Sequence, residues 1–290
     1  MPTFEYEGAE LYYESYGSGP TVVFCHGAGG NHISWFQQIP RLSSRYRCVT
    51  FDHRGWGRSL DPRPVAERPP FDDDLAALID RLELEDVRLV AQSMGGWTAL
   101  AYTVKHPERV KALIMADTVG GLTSPELDAA REETRKVIAE KGLLEGALSE
   151  GFRKRTASGA FLYEQIWGLN PPREESGSRP MGFLPVTVEE AEALEVPVLF
   201  IEGREDILIP PDVVKMAAKL IPGARVQVVS EAGHSVYFER PGEFNRLVST
   251  FLRNAERDRK RSGGSRKRGD KSGDGGDAAD GDEKDGSGKD

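Results

Sequence analysis

Short apolar segments alternate with amphipathic ones along most of the chain. Runs of four or five mostly apolar residues are typical of buried strands and occur at 21–25, 48–51, 87–91, 112–115, 198–201 and 226–229. Apolar residues three or four positions apart predict helices between them, at 74–82, 96–105, 212–220 and 244–255. Strands that alternate with helices pair in parallel through right-handed crossovers. We therefore expect an open, mostly parallel α/β sheet with helices on both faces.

The first twenty residues follow a different pattern. Phe4, Tyr6, Leu11 and Tyr13 alternate with polar positions, and glycine-containing segments separate and follow the two halves. This pattern is typical of a β-hairpin closed by turn residues.

The strand–helix alternation stops between the predicted strands that end near Asp117 and begin after Val196. Helical patterns fill 125–141, 143–152 and 159–167, and breakers stand at 171–172 and 176–180. The apolar residues of this stretch favour a packed segment over a disordered loop; they are Phe161, Leu162, Ile166, Trp167, Phe183 and Leu184. We expect a small helical lid over 118–195, inserted between core segments 1–117 and 196–255.

Composition sets the last residues apart. Residues 256–290 carry ten basic and ten acidic side chains and no apolar residue larger than alanine. Such a segment cannot offset the entropy lost on ordering, so we expect a disordered charged tail. Because its charges cancel, the net charge of −9 belongs to residues 1–255. That acidic body argues against nucleic acid as a partner, since phosphate contacts need clustered lysine and arginine.

Other classes are excluded by what the chain lacks. No apolar run reaches the ~18 residues that a membrane-spanning helix needs, and the N-terminus lacks the pattern of a signal peptide. Two cysteines, Cys25 and Cys48, are too few for a disulfide scaffold or a zinc cluster. We expect a cytoplasmic protein that acts on a small molecule, without a metal; no pattern indicates its oligomeric state.

The strongest local signal is a predicted strand that turns into a helix at a serine. Ser93 lies in the segment Ala91-Gln92-Ser93-Met94-Gly95. A serine on such a strained turn is exposed at the carboxyl end of a sheet and needs small residues two positions before and after it. Gly95 fits the strict pattern, whereas Ala91 replaces its glycine. We interpret Ser93 as a nucleophile rather than as part of an ordinary strand–helix junction.

A serine hydroxyl needs a base and a group that orients the base. His234 follows the last predicted strand, where loops converge on the site of an open α/β sheet, and we expect it to be the base. Asp206 and Asp117 both follow strands and both fit the chain order Ser–Asp–His, with Asp52 a weaker candidate. The spacing alone leaves Asp206 and Asp117 open.

Five motifs together resemble the α/β-hydrolase superfamily, in its branch of lidded small serine esterases, lactonases and C–C hydrolases. They are His-Gly-Ala-Gly-Gly at 26–30, Phe-Asp-His-Arg-Gly-Trp-Gly-Arg-Ser at 51–59, Gln-Ser-Met-Gly-Gly at 92–96, Gly-Arg-Glu-Asp at 203–206 and Ala-Gly-His at 232–234. The resemblance implies Asp206 as the acid. It also implies an oxyanion hole made by the backbone N–H groups of Ala28 and Met94, and chemistry without a cofactor.

The expected activity follows from this resemblance. Relatives that cleave haloalkanes or epoxides use aspartate at the position of Ser93, so we expect a serine hydrolase acting on a small, largely apolar carboxylic ester or lactone through an acyl-enzyme. A C–C bond hydrolase for vinylogous keto acids and a small-molecule receptor that retains the triad remain alternatives. We expect Trp35, Phe161 and Trp167 to line the substrate pocket.

Overall fold

A computed structural model describes residues 2–172 and 184–269. The chain divides into two compact units, Met1–Leu252 and Arg253–Asp290. The first unit contains the sheet and all the candidate site residues named above.

Within the described residues, eight strands form one sheet. They are β1 (Thr3–Tyr6), β2 (Ala9–Tyr16), β3 (Thr21–Cys25), β4 (Arg47–Phe51), β5 (Val87–Gln92), β6 (Val110–Ala116), β7 (Val198–Gly203) and β8 (Arg225–Val229). Their order is β1-β2-β4-β3-β5-β6-β7-β8. The pairs β1–β2 and β2–β4 are antiparallel, and all other neighbours are parallel. The mostly parallel α/β sheet expected from the sequence is confirmed, and a hairpin precedes its parallel part.

Helices connect the strands. They are α1 (Ile39–Leu42), α2 (Phe71–Arg81), α3 (Met94–Lys105), α4 (Pro125–Lys141), α5 (Leu143–Gly146), α6 (Glu150–Arg155), α7 (Ala157–Gly168), α8 (Val188–Glu192), α9 (Pro211–Lys219), α10 (Val236–Glu239) and α11 (Pro241–Gly269). Two short 3-10 helices span His32–Trp35 and Val65–Glu67. No helix among the described residues is both long and apolar enough to cross a membrane.

The core lies between the sheet and the helices that pack on it. Every residue of β5 and β7 is buried, as expected for parallel strands covered on both faces. Leu75 and Leu78 of α2 and Leu100 of α3 belong to the largest cluster of buried apolar side chains, together with Phe200 of β7. Full burial of one such side chain contributes roughly 1.5–3 kcal/mol.

The insertion between β6 and β7 contains α4 to α8. The helix expected at 125–141 coincides with α4, but a continuous helix over 143–152 is wrong, since α5 and α6 divide that stretch. Ser149 begins α6 by accepting a hydrogen bond from the N–H of Phe152, and its own N–H and hydroxyl donate to the Glu239 carboxylate. These bonds hold Ser149 outside a helical path. Phe183 and the breaker at 176–180 lie outside the described residues.

The last helix extends beyond the boundary expected for the tail. α11 runs to Gly269, whereas the sequence predicts disorder from Glu256. Arginine and lysine are good helix formers, and they are frequent in this part of the chain. Residues 270–290, which complete the predicted tail, lie outside the described residues.

Candidate active site

Ser93 lies at the sharp turn between β5 and α3. Its φ of 48° is in the left-handed region, which a residue with a side chain adopts at a cost of ~1–3 kcal/mol. The Ser93 N–H donates to the carbonyl of Ala116, 3.0 Å away, which ties the turn to the end of β6. At Gly95 a Cβ would lie 2.1 Å from the carbonyl oxygen of Cys25, so a glycine is required there. The close packing predicted around this turn is therefore present.

His234 lies in the loop between β8 and α10 and is only 4% exposed. Its Nε2 is 2.9 Å from Ser93 Oγ. The Gln92 side chain donates to the His234 carbonyl at 2.8 Å, and the Gly233 N–H donates to the Glu239 carboxylate at 3.0 Å. These bonds fix the backbone on both sides of the imidazole, so the ring faces the serine hydroxyl.

Asp206 contacts the other nitrogen of the imidazole. Its Oδ2 lies 2.7 Å from His234 Nδ1, and its Oδ1 accepts from the N–H groups of Leu208 and Ile209 at 2.7 and 2.9 Å. Asp117, the other aspartate that fits the chain order, accepts instead from the N–H groups of Gly203 and Val236. The geometry therefore joins Ser93, His234 and Asp206.

The pKa of His234 reflects two opposing effects. Burial, the largest single effect, disfavours the imidazolium and lowers the pKa, whereas the Asp206 carboxylate raises it through its charge and its hydrogen bond. The nearby Asp117 carboxyl acts in the same direction, and the pKa of His234 is raised above its usual 6.5. An imidazole that is stabilised when it gains a proton is suited to accept one from a serine hydroxyl.

Asp206 belongs to a cluster of three buried carboxyl groups. Oxygens of Asp117, Glu202 and Asp206 lie within 4.8 Å of one another. Burial raises the pKa of Glu202 well above its usual value, and the neighbouring carboxylates Asp206 and Asp117 add to this. Burial and the Asp206 charge raise the pKa of Asp117 likewise.

Among the described residues this cluster is the one whose geometry could hold a metal ion. Oxygen donors suit hard cations such as Mg²⁺ or Ca²⁺. Asp206, however, is already bound to His234 and to two backbone N–H groups, so a cation there would compete with these bonds. The raised pKa values of Glu202 and Asp117 favour proton uptake by these groups, which relieves the same like-charge repulsion without moving Asp206.

The other buried histidines have different partners. His26 accepts a hydrogen bond from the N–H of His53 at 3.0 Å, and burial lowers the pKa of His26 to about 4. His53 Nε2 lies 3.0 Å from the Thr98 hydroxyl, and His32 Nδ1 lies 2.9 Å from Asp52. These contacts give the three histidines structural roles in the loops beside the site.

The glycine-rich loop 27–30 follows β3 and approaches the start of α3. The Gly30 N–H donates to the Gly27 carbonyl at 3.0 Å, and Gly29 has a φ of 80°. Ala28 packs against an apolar cluster that contains Met94, the first residue of α3. The N–H groups at a helix start have no partner within the helix and carry a partial positive charge. Ala28 and Met94 thus lie together next to the Ser93 turn.

The three aromatic residues expected in the pocket occupy different places. Trp35 is fully buried and packs against Phe24 and Tyr237, with ring centroids 5.1 and 4.9 Å apart, because its 3-10 helix faces the core. Phe161 is 61% exposed. Trp167 covers Gly29, where a Cβ would lie 1.8 Å from the indole. Of the three, Trp167 is the one held against the glycine-rich loop.

Three further residues shape the site although the sequence analysis assigned them no role. Gln92 holds the His234 carbonyl, Glu202 belongs to the carboxyl cluster, and Asn170 bonds the glycine-rich loop. A charged residue at the end of an apolar strand was an available signal for Glu202. Gln92 stands beside the nucleophile, but neither it nor Asn170 has a pattern that marks such a contact.

Comparison with known proteins identifies the family. A family model described as the alpha/beta hydrolase family matches residues 22–247. This match covers well over half of the chain, which therefore belongs to the alpha/beta hydrolase family. The protein is an enzyme of this fold, as the sequence motifs predicted.

Two curated relatives are similar over most of the chain. A putative carbamate hydrolase, RutD, from Caulobacter sp. (strain K31) is 29% identical over 269 residues, which cover 83% of this chain and 95% of the relative. A putative non-heme bromoperoxidase, BpoC, from Mycobacterium tuberculosis (strain CDC 1551 / Oshkosh) is 30% identical over 262 residues, 83% of this chain and 97% of the relative.

Solved structures show the same architecture. Est816, described as an N-acyl homoserine lactone degrading enzyme, superposes with a TM-score of 0.72 at 28% identity, covering 86% of this chain and 100% of its own. A thermophilic esterase from Thermogutta terrifontis superposes with a TM-score of 0.69 at 25% identity, covering 87% and 97%. The relatives named here include hydrolases, which supports hydrolase activity for this chain.

Proposed function

We propose that the protein is a serine hydrolase that cleaves a small, largely apolar carboxylic ester or lactone through an acyl-enzyme. The observation that carries this proposal is the continuous contact from Ser93 Oγ to His234 Nε2 at 2.9 Å and from His234 Nδ1 to Asp206 Oδ2 at 2.7 Å. A lactone-degrading enzyme and an esterase among the similar structures support the same substrate class.

The mechanism assigns one step to each group. His234 takes the proton of Ser93 as Oγ attacks the acyl carbonyl, and Asp206 stabilises the resulting imidazolium. The N–H groups of Ala28 and Met94 stabilise the oxyanion of the tetrahedral intermediate. His234 then gives its proton to the leaving alcohol, and a water molecule deprotonated by the same imidazole hydrolyses the acyl-enzyme. A lactone opens to a hydroxyacyl-enzyme whose alcohol remains on the acyl chain, and hydrolysis of that ester releases a single hydroxy acid.

A cavity bordered by Trp56 supports an apolar substrate of modest size. Trp56 packs in the cluster that contains Met94 and also borders a cavity of about 360 Å³. Much of the lining is apolar: Trp56, Leu60, Pro62, Val65, Pro171 and Pro172. The charged lining residues are Arg54, Asp61 and Arg68. Asp61 lies 2.9 Å from Arg54 and 3.8 Å from Arg68, and Arg54 also pairs with Asp74, so these charges are neutralised within the protein. We propose that the acyl or alcohol part enters this cavity beside Trp56, and that Trp167 borders the same site.

The experiment is a hydrolysis panel with wild type and Ser93→Ala. It contains para-nitrophenyl esters of two to eight carbons, γ-lactones with short acyl substituents, and a vinylogous keto acid. We expect turnover of esters or lactones by wild type and none by Ser93→Ala. Turnover confined to the keto acid would establish the C–C hydrolase alternative. Saturable thermal stabilisation by a panel compound without turnover would establish the receptor alternative.

A further inference from the structure

The end of helix α7 is bonded to two loops of the core. Asn170, two residues beyond α7, donates through Nδ2 to the Gly29 carbonyl at 2.7 Å and accepts through Oδ1 from the Gly57 N–H at 2.8 Å. The same Nδ2 also donates to the carbonyl of Trp167 at 3.0 Å. One amide side chain thus joins the insertion, the glycine-rich loop 27–30 and the loop after β4.

Two further contacts hold the same elements together. Asn31, which is buried, donates through Nδ2 to the Ile166 carbonyl at 3.0 Å. The Trp167 indole lies directly over Gly29, whose φ of 80° and lack of a Cβ allow that approach. The glycine-rich loop is therefore covered and hydrogen-bonded by the last turn of α7 and the residues after it.

The loop needs such a restraint for chemical reasons. Three of its four residues are Gly27, Gly29 and Gly30, and glycine has more backbone freedom to lose than any other residue. Within the loop, the Gly30 N–H to Gly27 carbonyl bond closes one turn but leaves the Gly29 carbonyl to outside partners. Oxyanion donors act through preorganisation, so a loop that samples several orientations stabilises the oxyanion less well.

We propose that Asn170 is a positioning residue, contributed by the insertion, that holds the 27–30 loop with the Ala28 N–H directed at the oxyanion. The inference rests on the proposed function, because it assigns Asn170 a role in the same oxyanion hole. It goes further in making the insertion part of the catalytic geometry rather than a cover alone. Asn170 acts through the loop and does not itself touch the reacting atoms.

The test measures the rate at which a fluorophosphonate phosphonylates Ser93, a reaction in which Oγ bonds to phosphorus and fluoride leaves. Asn170→Ala removes all three hydrogen bonds of the side chain. Asn170→Asp keeps the acceptor for Gly57 but places a carboxylate oxygen against the Gly29 carbonyl. Asn245→Ala is the matched control, since its amide also donates to a backbone carbonyl, that of Gln37 at 2.9 Å, in another part of the same unit.

We expect both Asn170 variants to be labelled to full stoichiometry but ~10–100-fold more slowly, less than the 10²–10³-fold cost of deleting an oxyanion donor. For the best substrate of the hydrolysis panel, kcat should fall by the same factor with KM within about threefold. A trifluoromethyl ketone forms a hemiketal with Ser93 whose former ketone oxygen is an oxyanion. Its affinity for the Asn170 variants should fall by a factor similar to the loss of kcat. The acid limb of the pH profile should stay in place, because the His234 loop is untouched.

The outcomes separate this inference from the proposed function. Wild-type protein that is not labelled at all would overturn the proposed function. Rapid labelling of wild type together with equally rapid labelling of Asn170→Asp would overturn the positioning role alone. Equal slowing in Asn245→Ala, or a shifted acid limb in the Asn170 variants, would also overturn it, because either result indicates general loosening. Asn170→Asp preserves side-chain volume, so it serves if the alanine variant does not fold.

Discussion

The choice between two buried aspartates can be decided by one substitution, Asp206→Asn. The Asp206 Oδ1 accepts from the N–H groups of Leu208 and Ile209, so the asparagine will keep its carbonyl oxygen there and turn its amide towards His234. An amide donates, and His234 Nδ1 must then accept. The imidazole proton moves to Nε2, facing Ser93 Oγ, and the ring can no longer take the serine proton.

The expected loss of kcat in Asp206→Asn follows from the role of Asp206 in orienting His234. Forcing the wrong tautomer in a serine triad costs ~10⁴-fold in kcat, and we expect ~10³–10⁴-fold here. At 1.36 kcal/mol for each tenfold change, this loss equals ~4–5.5 kcal/mol of transition-state stabilisation. The pKa of His234 should also fall, because the Asp206 charge and hydrogen bond raise it. The assay is steady-state hydrolysis of the best panel substrate from pH 5 to 9.

Asp117→Asn is the matched control. The Asp117 carboxylate accepts from Gly203 and Val236 through different oxygens, so its amide will face one backbone donor and cost ~1–3 kcal/mol of stability. We expect its kcat to stay within about tenfold of wild type, at a temperature where circular dichroism shows folded protein. Loss of activity in Asp117→Asn with near-normal activity in Asp206→Asn would refute the assignment.

Three further predictions concern charge and close packing. The folded-state pKa of Glu202 is raised, so its protonated form contributes stability that is lost as pH rises. The free energy of unfolding of Glu202→Gln in urea, relative to that of wild type, should therefore increase from pH 5 to 9. A difference independent of pH would contradict this. Because the pKa of His234 is raised, kcat/KM should fall on acidification with an inflection above 6.5; one at or below 6.5 would contradict it. The free energy of unfolding of Gly95→Ala should fall by at least ~1–3 kcal/mol, since its Cβ would meet the Cys25 carbonyl. Gly242→Ala is the control, because the space around Gly242 is open and no loss is expected. Equal melting temperatures of the two variants would contradict this.

Much of the sheet could be predicted because its signal is local. The parallel strands are short apolar runs between polar loops, and their observed ends lie within two residues of the predicted ones. Ser93, Asp206 and His234 each follow a strand, so the topology of a parallel sheet brings them to one edge. Choosing Asp206 over Asp117 needed a family resemblance, since both satisfy the same local pattern.

The contacts of the insertion could not be predicted in this way. Ser149 interrupts the helix predicted over 143–152 because its hydroxyl and N–H donate to Glu239, a residue far along the chain. Asn170 acquires its role from Gly29 and Gly57, which only the folded chain brings near it. Trp35 and Trp167 are the same type of residue, and the sequence could not tell that Trp35 packs in the core whereas Trp167 covers a loop.

The central claim is that Ser93 is an activated nucleophile, and active-site titration with a fluorophosphonate tests it most directly. Wild type and Ser93→Ala are compared at equal concentration after circular dichroism has established that both are folded, and the labelled peptide is identified by mass spectrometry. We expect one label per wild-type chain, located on Ser93, and none on Ser93→Ala. Absence of labelling in folded wild type, or equal labelling of the two proteins, would contradict it.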